Sequence, residues 1–254
     1  MKTINSLSGG KTSSYMAVHY PADYNVFALI RIDDIRCQTK DKKLIKMVSD
    51  KIGMEFIATA EDDLTLYLMF DLEQKIGKEI IWLTSISFDE LIVKRKALPN
   101  KIWRFCTIEM KLKPIYKWWK QNINEIVKMQ IGFRYDEKER SNRFTTHWGK
   151  KEWRIGGFPL IDDKIHHYKV KEWADKSGLI FPNDSNCVGC FWKQPQQLRK
   201  NWDNNPEKMQ WFSDKEIKHT WKSEINYNSI KKLSIQQDFN FGTGAGCQAG
   251  YCTD

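Results

Sequence analysis

Ser6-Leu7-Ser8-Gly9-Gly10-Lys11-Thr12-Ser13-Ser14 lies between a short β-branched run, Lys2-Thr3-Ile4-Asn5, and the helix-like start Tyr15-Met16-Ala17-Val18-His19. A buried strand, a glycine-rich loop and a helix start, in that order, aim backbone N–H groups and the positive end of a helix dipole at an anion. Gly9 and Gly10 let the backbone turn and let a ligand come close, which a Cβ would prevent. Lys11 adds a point charge; Ser8, Thr12 and Ser13 add hydroxyls. The stretch predicts a phosphate-binding loop.

Outward from the loop, the near-continuous apolar run Val26 to Ile32 ends in Asp33-Asp34 and reads as a buried parallel strand with acids at its carboxyl end. Helical spacing over 40–53 (Leu44, Ile45, Val48, Ile52) stops at Gly53, and a second helix over 64–76 stops at Gly77. Further strands are expected over 55–58 and 80–83, and a helix over 88–98 ahead of Pro99. Pro114 opens a short helix to Trp119, with Ile115, Trp118 and Trp119 inward, and the run 126–134 is a strand with Gly132-Phe133-Arg134 at its carboxyl end. Alternating strands and helices predict an α/β fold, a doubly wound, mostly parallel five-stranded sheet. Such sheets bind ligands at the carboxyl ends of their strands near the switch point, so the loop, Asp33, Asp34 and Arg134 are expected on one edge.

Beyond Arg140 the pattern turns polar, aromatic and irregular. The expected division is a nucleotide-binding α/β domain over 1–144 and a helical, irregular C-terminal part over 145–254 packing on it. That part holds Cys187-Val188-Gly189-Cys190, helical stretches near 165–176, 194–202 and 206–221, and a glycine- and cysteine-rich tail.

The 254 residues carry a formal charge of +9. From Lys94 to Lys120, nine basic residues (Lys94, Arg95, Lys96, Lys101, Arg104, Lys111, Lys113, Lys117, Lys120) face one acid, Glu109, a net +8. Such a segment suits a polyanion, nucleotide or nucleic acid, or else forms a solvated basic face. Most of the eleven tryptophans are expected in packing, with Trp103, Trp118 and Trp119 as candidates for stacking on bases. No apolar run reaches membrane-spanning length and no signal-peptide core opens the chain, so a reducing, cytoplasmic setting without a membrane is expected. Six cysteines make no disulfide framework in a chain this long, which favours metal binding or catalysis for any clustered pair.

Gly10-Lys11-Thr12 invites the Walker A pattern G-x-x-x-x-G-K-S/T, but that pattern asks for glycine where the chain has Asn5. Ser8-Gly9-Gly10-Lys11-Thr12-Ser13 instead resembles the S-G-G-x-x-S loop of the PP-loop ATP pyrophosphatase superfamily. The likeness is greatest to its phosphoadenosine phosphosulfate reductase-like branch, which includes many phage-encoded members. Arg104-Phe105-Cys106-Thr107 with Lys111-Leu112-Lys113-Pro114 is similar to that branch's C-T-x-x-x-K-x-x-P segment. Gly132-Phe133-Arg134 with Glu137 and Arg140 is similar to its G-x-R-x-x-E-x-x-R segment, and Cys187-Val188-Gly189-Cys190-Phe191 to its late C-x-x-C-F.

The resemblance implies an adenine nucleotide alpha hydrolase-like fold holding ATP or a related adenylate with Mg²⁺. It implies nucleotide contacts from Ser8, Gly9, Gly10, Lys11, Thr12, Ser13 and Asp33, with Lys11 and Arg134 as catalytic groups. An acceptor oxygen would attack the α-phosphorus and release pyrophosphate. Two departures are evident: Thr12 stands where ATP-cleaving members usually carry an acid, and the E-C-G-x-H terminus of sulfonucleotide reductases is absent.

Cys187 and Cys190 form a C-x-x-C suited to metal or cluster ligation, or else a buried small apolar pair. In the resembling iron–sulfur members a vicinal cysteine pair occupies the positions of Phe105 and Cys106. The expected set is Cys106, Cys187, Cys190 and one tail cysteine, Cys247 or Cys252, around a 4Fe–4S cluster or zinc. Cys37 is expected in the core, His166-His167 on a polar surface, and Glu137–Arg140 as a surface ion pair. The leading functional expectation is an adenylating transferase acting in sulfur-related or nucleic-acid modification, with tRNA or DNA meeting the Lys94–Lys120 segment. A sulfonucleotide reductase and a non-catalytic nucleotide- or nucleic-acid-binding module are the alternatives.

Overall fold

Alternation of apolar and polar side chains in Thr3-Ile4-Asn5-Ser6-Leu7 is not that of a one-sided strand: Ile4, Asn5 and Leu7 are all buried. This strand, β1 (Thr3–Leu7), lies mid-sheet, where both faces are covered. In the computed structural model, which describes residues 1–148 and 151–234, β1 leads into α1 (Lys11–His19) and then β2 (Tyr24–Ala28). The chain continues through β3 (Arg31–Ile32), α2 (Lys42–Ile52), β4 (Ala58–Thr59), α3 (Asp63–Ile76), β5 (Ile80–Leu83) and α4 (Phe88–Arg95). A short α5 (Phe105–Thr107) runs through a π-helical turn, Ile108–Leu112, into α6 (Lys113–Asn122) and β6 (Val127–Gln130). A small hairpin, β7 (His147–Trp148) with β8 (Lys151–Glu152), precedes β9 (Arg154–Gly157) and α7 (Pro159–Asp162). The remaining helices are α8 (His167–Lys176), α9 (Pro195–Asn204), α10 (Pro206–Asp214) and α11 (Tyr227–Lys231).

The main sheet has the order β5-β2-β1-β6-β9, with every neighbouring pair parallel. This is the five-stranded α/β sheet the sequence predicts, and its direction of winding reverses between β1 and β6. One of its strands, β9, is not an expected one, and the strand expected over 55–58 does not join it: β4 lies outside the main sheet. The apolar run from Val26 leaves the sheet after Ala28, and Arg31–Ile32 pairs antiparallel with Ala58–Thr59. It reads as one strand because its residues are buried in three different clusters: Val26 and Ala28 with Trp119, Phe27 and Leu29 with Leu72, and Ile30 and Ile32 with Trp211.

The fifth strand, β9, comes from beyond residue 144, so the sheet crosses the expected domain boundary. Arg154-Ile155-Gly156-Gly157 lacks an apolar pattern because close packing replaces it. A Cβ on Gly156 would lie 2.8 Å from the Phe158 ring, and one on Gly157 would lie 2.8 Å from the Lys128 side chain.

Helix ends follow sequence chemistry. Asp41 and Asp62 cap α2 and α3, a Ser87–Glu90 capping box starts α4, and α2 and α3 stop at Gly53 and Gly77 as expected. The C-terminal helices build a core of their own, in which Trp202, Trp211, Phe212, Trp221 and Tyr227 pack against Phe88, Phe105, Val188 and Phe191. The indole N–H groups are satisfied there: Trp221 donates to the Phe212 carbonyl at 2.7 Å and Trp202 to the Tyr227 carbonyl at 3.1 Å. No helix among the described residues is long and apolar enough to cross a membrane.

Candidate functional site

The Ser8–Ser13 loop leaves the carboxyl end of the central strand and opens α1, beside the β1–β6 switch point. Gly9 has φ of +71°, which favours glycine, and a Cβ there would lie 2.3 Å from Thr65 Cγ2. At Gly10 a Cβ would lie 2.8 Å from Ser185 Cβ. The close approaches that demand both glycines are thus made by the protein itself, from α3 and from the segment ahead of Cys187. Ser13 is buried and closes the loop: its hydroxyl donates to the Gly10 carbonyl at 3.1 Å and accepts from the Ser8 N–H at 3.2 Å. Gly10 caps α1 without any side-chain hydrogen bond, so the first-turn N–H groups of Lys11, Thr12 and Ser13 are left for an anion. Lys11 is exposed at that opening.

Arg134 crosses the switch point. It is 7% exposed, and its Nη1 donates to Thr12 Oγ1 at 3.0 Å. The same guanidinium pairs with Glu137 at 3.0 Å and with Asp136 at 3.3 Å. Glu137 also pairs with Arg140, whose guanidinium stacks 4.3 Å above the Phe133 ring. Glu137 is buried, so the expected surface ion pair is an internal brace. Gly132 closes the contact: a Cβ there would lie 3.3 Å from the backbone of Thr12 and Ser13. Arg134 therefore ties the segment after β6 to the loop through Thr12, whose hydroxyl faces its guanidinium.

Asp33 follows β3, outside the main sheet. Its N–H donates to Asp89 at 2.8 Å and its carboxylate lies 3.7 Å from Arg31. Asp34 caps a 3-10 turn and pairs with Arg36. No hydrogen bond or ion pair among the described residues joins either acid to the loop.

The basic segment is thinner in space than in sequence. Glu109 takes Arg95 and Lys113, Glu61 lies 3.6 Å from Lys111, and Glu224 lies 3.2 Å from Lys101. Lys94, Lys96, Lys117 and Lys120 are exposed and make no ion pair among the described residues. Trp119 is fully buried with its N–H on the Glu125 carbonyl, and Trp118 packs edge-on to Tyr24, so Trp103, half-exposed, is the indole left for stacking on a ligand.

Cys106, Cys187 and Cys190 line one small cleft, together with Ile30, Thr107, Lys111 and Trp192. The π-helical turn after α5 carries Lys111 to this wall, and π-turns often mark functional positions. The Cys187–Cys190 turn is caged. The Cys190 N–H donates to the Cys187 carbonyl at 3.0 Å, and the Val188 N–H to the Ala60 carbonyl at 2.8 Å. Asn201 donates to the Val188 carbonyl at 2.7 Å and Tyr227 to the Gly189 carbonyl at 2.9 Å. Buried Lys222 donates to the Phe191 and Lys193 carbonyls. A Cβ on Gly189 would lie 2.3 Å from the Phe212 ring.

Burial lowers the Lys222 pKa, and Lys101 adds to that, while the charges of Glu224 and Cys190 oppose it. Soft donors, a rigid turn and adjacent cations suit a thiophilic metal or cluster. Among the described residues no group of three His, Cys, Asp or Glu side chains is assembled to hold a metal ion. The expected fourth ligand, Cys247 or Cys252, lies outside the described residues. Cys37 is core, and burial pushes its thiol up to about 12.

Several site residues carry no signal in sequence. Ser185 and Thr65 belong to no motif, yet each packs on a loop glycine. Lys208 reaches across to the Glu61 carbonyl at 2.6 Å and to Asp63 at 2.7 Å, tying α10 to the start of α3. His167 opens α8 on the surface, as expected, and its backbone N–H donates to Asp136 at 3.1 Å, beside Arg134.

No family model matches the chain. An uncharacterized protein of Methanocaldococcus jannaschii is 28% identical over 155 residues, covering 58% of this chain and 32% of that protein. The matched part is thus about a third of that relative's length. Among solved structures, a phosphoadenylyl-sulfate reductase from Candida auris in a phosphate complex matches with a TM-score of 0.39 and 12% identity. The match covers 71% of this chain and 75% of that one.

Proposed function

We propose that this chain is a PP-loop enzyme that binds ATP at Ser8–Ser13 and transfers its adenylyl group to an acceptor. The observation that carries the reading is the uncapped start of α1 at the carboxyl end of the central strand, next to the switch point. The β- and γ-phosphates would lie on the N–H groups of Lys11, Thr12 and Ser13, with the Lys11 ammonium neutralising them. An acceptor oxygen attacks the α-phosphorus, the new P–O bond forms as the bond to the β-phosphate bridging oxygen breaks, and pyrophosphate leaves. Arg134 holds Thr12 in place for this. Since Thr12 faces Arg134, a divalent cation would arrive with the nucleotide rather than be held by that residue.

The cysteine cleft forms a second functional element in this reading. Cys106, Cys187 and Cys190 with Cys247 or Cys252 would hold a 4Fe–4S cluster or zinc, which supplies sulfur or redox chemistry in the first case and rigidity in the second. Lys94, Lys96, Lys117, Lys120 and Trp103 supply charge and one stacking face for a tRNA or DNA acceptor.

The Thr12–Arg134 contact favours a second reading, a nucleotide-binding module without turnover, because no carboxylate stands at Thr12 for a metal. Pyrophosphate release from ATP, measured with and without tRNA or DNA, separates the two. Release that depends on Lys11 supports the enzyme; tight nucleotide binding with no release supports the module.

A further inference from the structure

His167 lies at the end of a continuous chain of contacts that begins in the loop. Thr12 Oγ1 accepts from Arg134 at 3.0 Å, Arg134 Nε meets Asp136 Oδ2 at 3.3 Å, and Asp136 Oδ1 accepts the His167 N–H at 3.1 Å. A second set of contacts fixes α8 along α1: Trp173 packs edge-on against Tyr15 and His19, with ring centroids 5.4 and 5.9 Å apart. Lys11 lies near His167, and Tyr15 and His19 lie against Trp173, the same order along both helices, so α8 runs alongside α1 in the same direction. Both helices therefore start at the same end, and the His167 side chain is exposed there, with no hydrogen bond to its imidazole among the described residues.

The charged groups that act on this imidazole are Arg134, Asp136 and Glu137 from the segment after β6 and Lys11 from α1. Burial lowers the His167 pKa first, followed by Arg134, with Lys11 adding to the effect and Asp136 and Glu137 opposing it. An imidazole whose protonation is disfavoured by burial and by two neighbouring cations takes up a proton more readily when an anion settles between those cations.

We infer that His167 is a further ligand-contacting residue of this site, a third cationic group after Lys11 and Arg134 that meets the anionic chain of the nucleotide bound at Ser8–Ser13. The inference rests on the loop being a nucleotide site, and it adds a contact from α8 that none of the recognised motifs contains. One proton moves from solvent to the imidazole as the ligand binds, and no covalent step is involved.

The test is calorimetric titration of the full-length protein with a non-hydrolysable ATP analogue and Mg²⁺, at pH 6, 7 and 8, in buffers of different ionisation enthalpy. Wild type, His167→Asn and Lys11→Ala are compared. The ligand's own protonation is common to all three, so the difference between wild type and His167→Asn reads the imidazole. The expected result is that the affinity ratio of wild type to His167→Asn rises about three- to sixfold from pH 8 to pH 6, the part of a tenfold limit that a pKa increase of about one unit on binding delivers over that range. Proton uptake on binding is expected for wild type and is reduced in the variant. Binding by wild type with the same pH dependence and proton uptake in His167→Asn overturns the role of His167 alone. Absence of nucleotide binding to wild type, or binding unchanged by Lys11→Ala, overturns the loop reading and this inference with it. Unchanged thermal midpoints of both variants establish that the comparison is made on folded protein.

Discussion

Ser185 packs directly on Gly10: its Cβ lies 2.8 Å from the point where a side chain on Gly10 would begin. Two residues later the chain reaches Cys187, so the wall of the loop and the cysteine turn are one short segment. Gly10→Ala should push Ser185 outward at a cost of about 1–3 kcal/mol, the usual range for overpacking. Thermal denaturation should show the loss, and nucleotide affinity should fall with it.

Thr12 and Arg134 are 122 residues apart in sequence and share one hydrogen bond. Arg134→Gln leaves buried Glu137 with Arg140 as its remaining counter-charge, which should cost about 1–3 kcal/mol. Thr12→Val removes a single acceptor and should cost about 1 kcal/mol. A double-mutant cycle read by urea denaturation should give a positive coupling between the two, and additive losses would show that the contact does not order the loop.

The cysteines should divide sharply by reactivity. Cys37, with its thiol pushed up to about 12, should resist alkylation at pH 8 in the folded protein. Cys187 and Cys190 should react rapidly in metal-free protein and be shielded when metal is bound. Anaerobically isolated protein should contain iron with sulfide or zinc, Cys187→Ser and Cys190→Ser should lose it, and Cys37→Ser should keep it. Metal content unchanged across all of these variants would remove the cleft from the account.

Glu109 predicts an acid sensitivity. Burial opposes its ionisation, but hydrogen bonds from Lys113 and Arg95 outweigh burial and hold its carboxyl below the usual range. A carboxylate whose pKa is depressed in the folded state contributes stability above its unfolded value and loses it as pH falls through the folded one. Glu109→Gln should therefore be less stable than wild type at pH 7, and the gap should narrow as the pH falls below the ordinary carboxylate range and close once it has passed the depressed folded-state pKa. Equal stability of the two proteins at pH 7 would contradict the ion-pair account.

The loop, α1, the parallel strands around it and the stops at Gly53 and Gly77 were legible because each depends on local chemistry: glycine, apolar runs and caps. Arg154–Gly157 was not, because its place in the sheet rests on glycines that admit Phe158 and the Lys128 side chain, and no periodicity records that. Nor did the run from Val26 to Ile32 reveal its break, since burial on several cores looks the same in sequence as burial in one sheet. The basic segment overstated its charge because Glu61 and Glu224, which meet Lys111 and Lys101, lie far away in the chain. Cys106, Cys187 and Cys190 line one cleft, which their separate motifs do not by themselves place together, whereas Ser185 and Thr65 reach the loop through tertiary packing alone.

The central claim, that Ser8–Ser13 is a nucleotide phosphate site, is tested most directly by the structure of the protein with a non-hydrolysable ATP analogue and Mg²⁺. The account predicts phosphate oxygens within hydrogen-bond distance of the Lys11, Thr12 and Ser13 N–H groups, with the Lys11 ammonium on the same phosphates. Nucleotide bound elsewhere, with those N–H groups facing water, would contradict it.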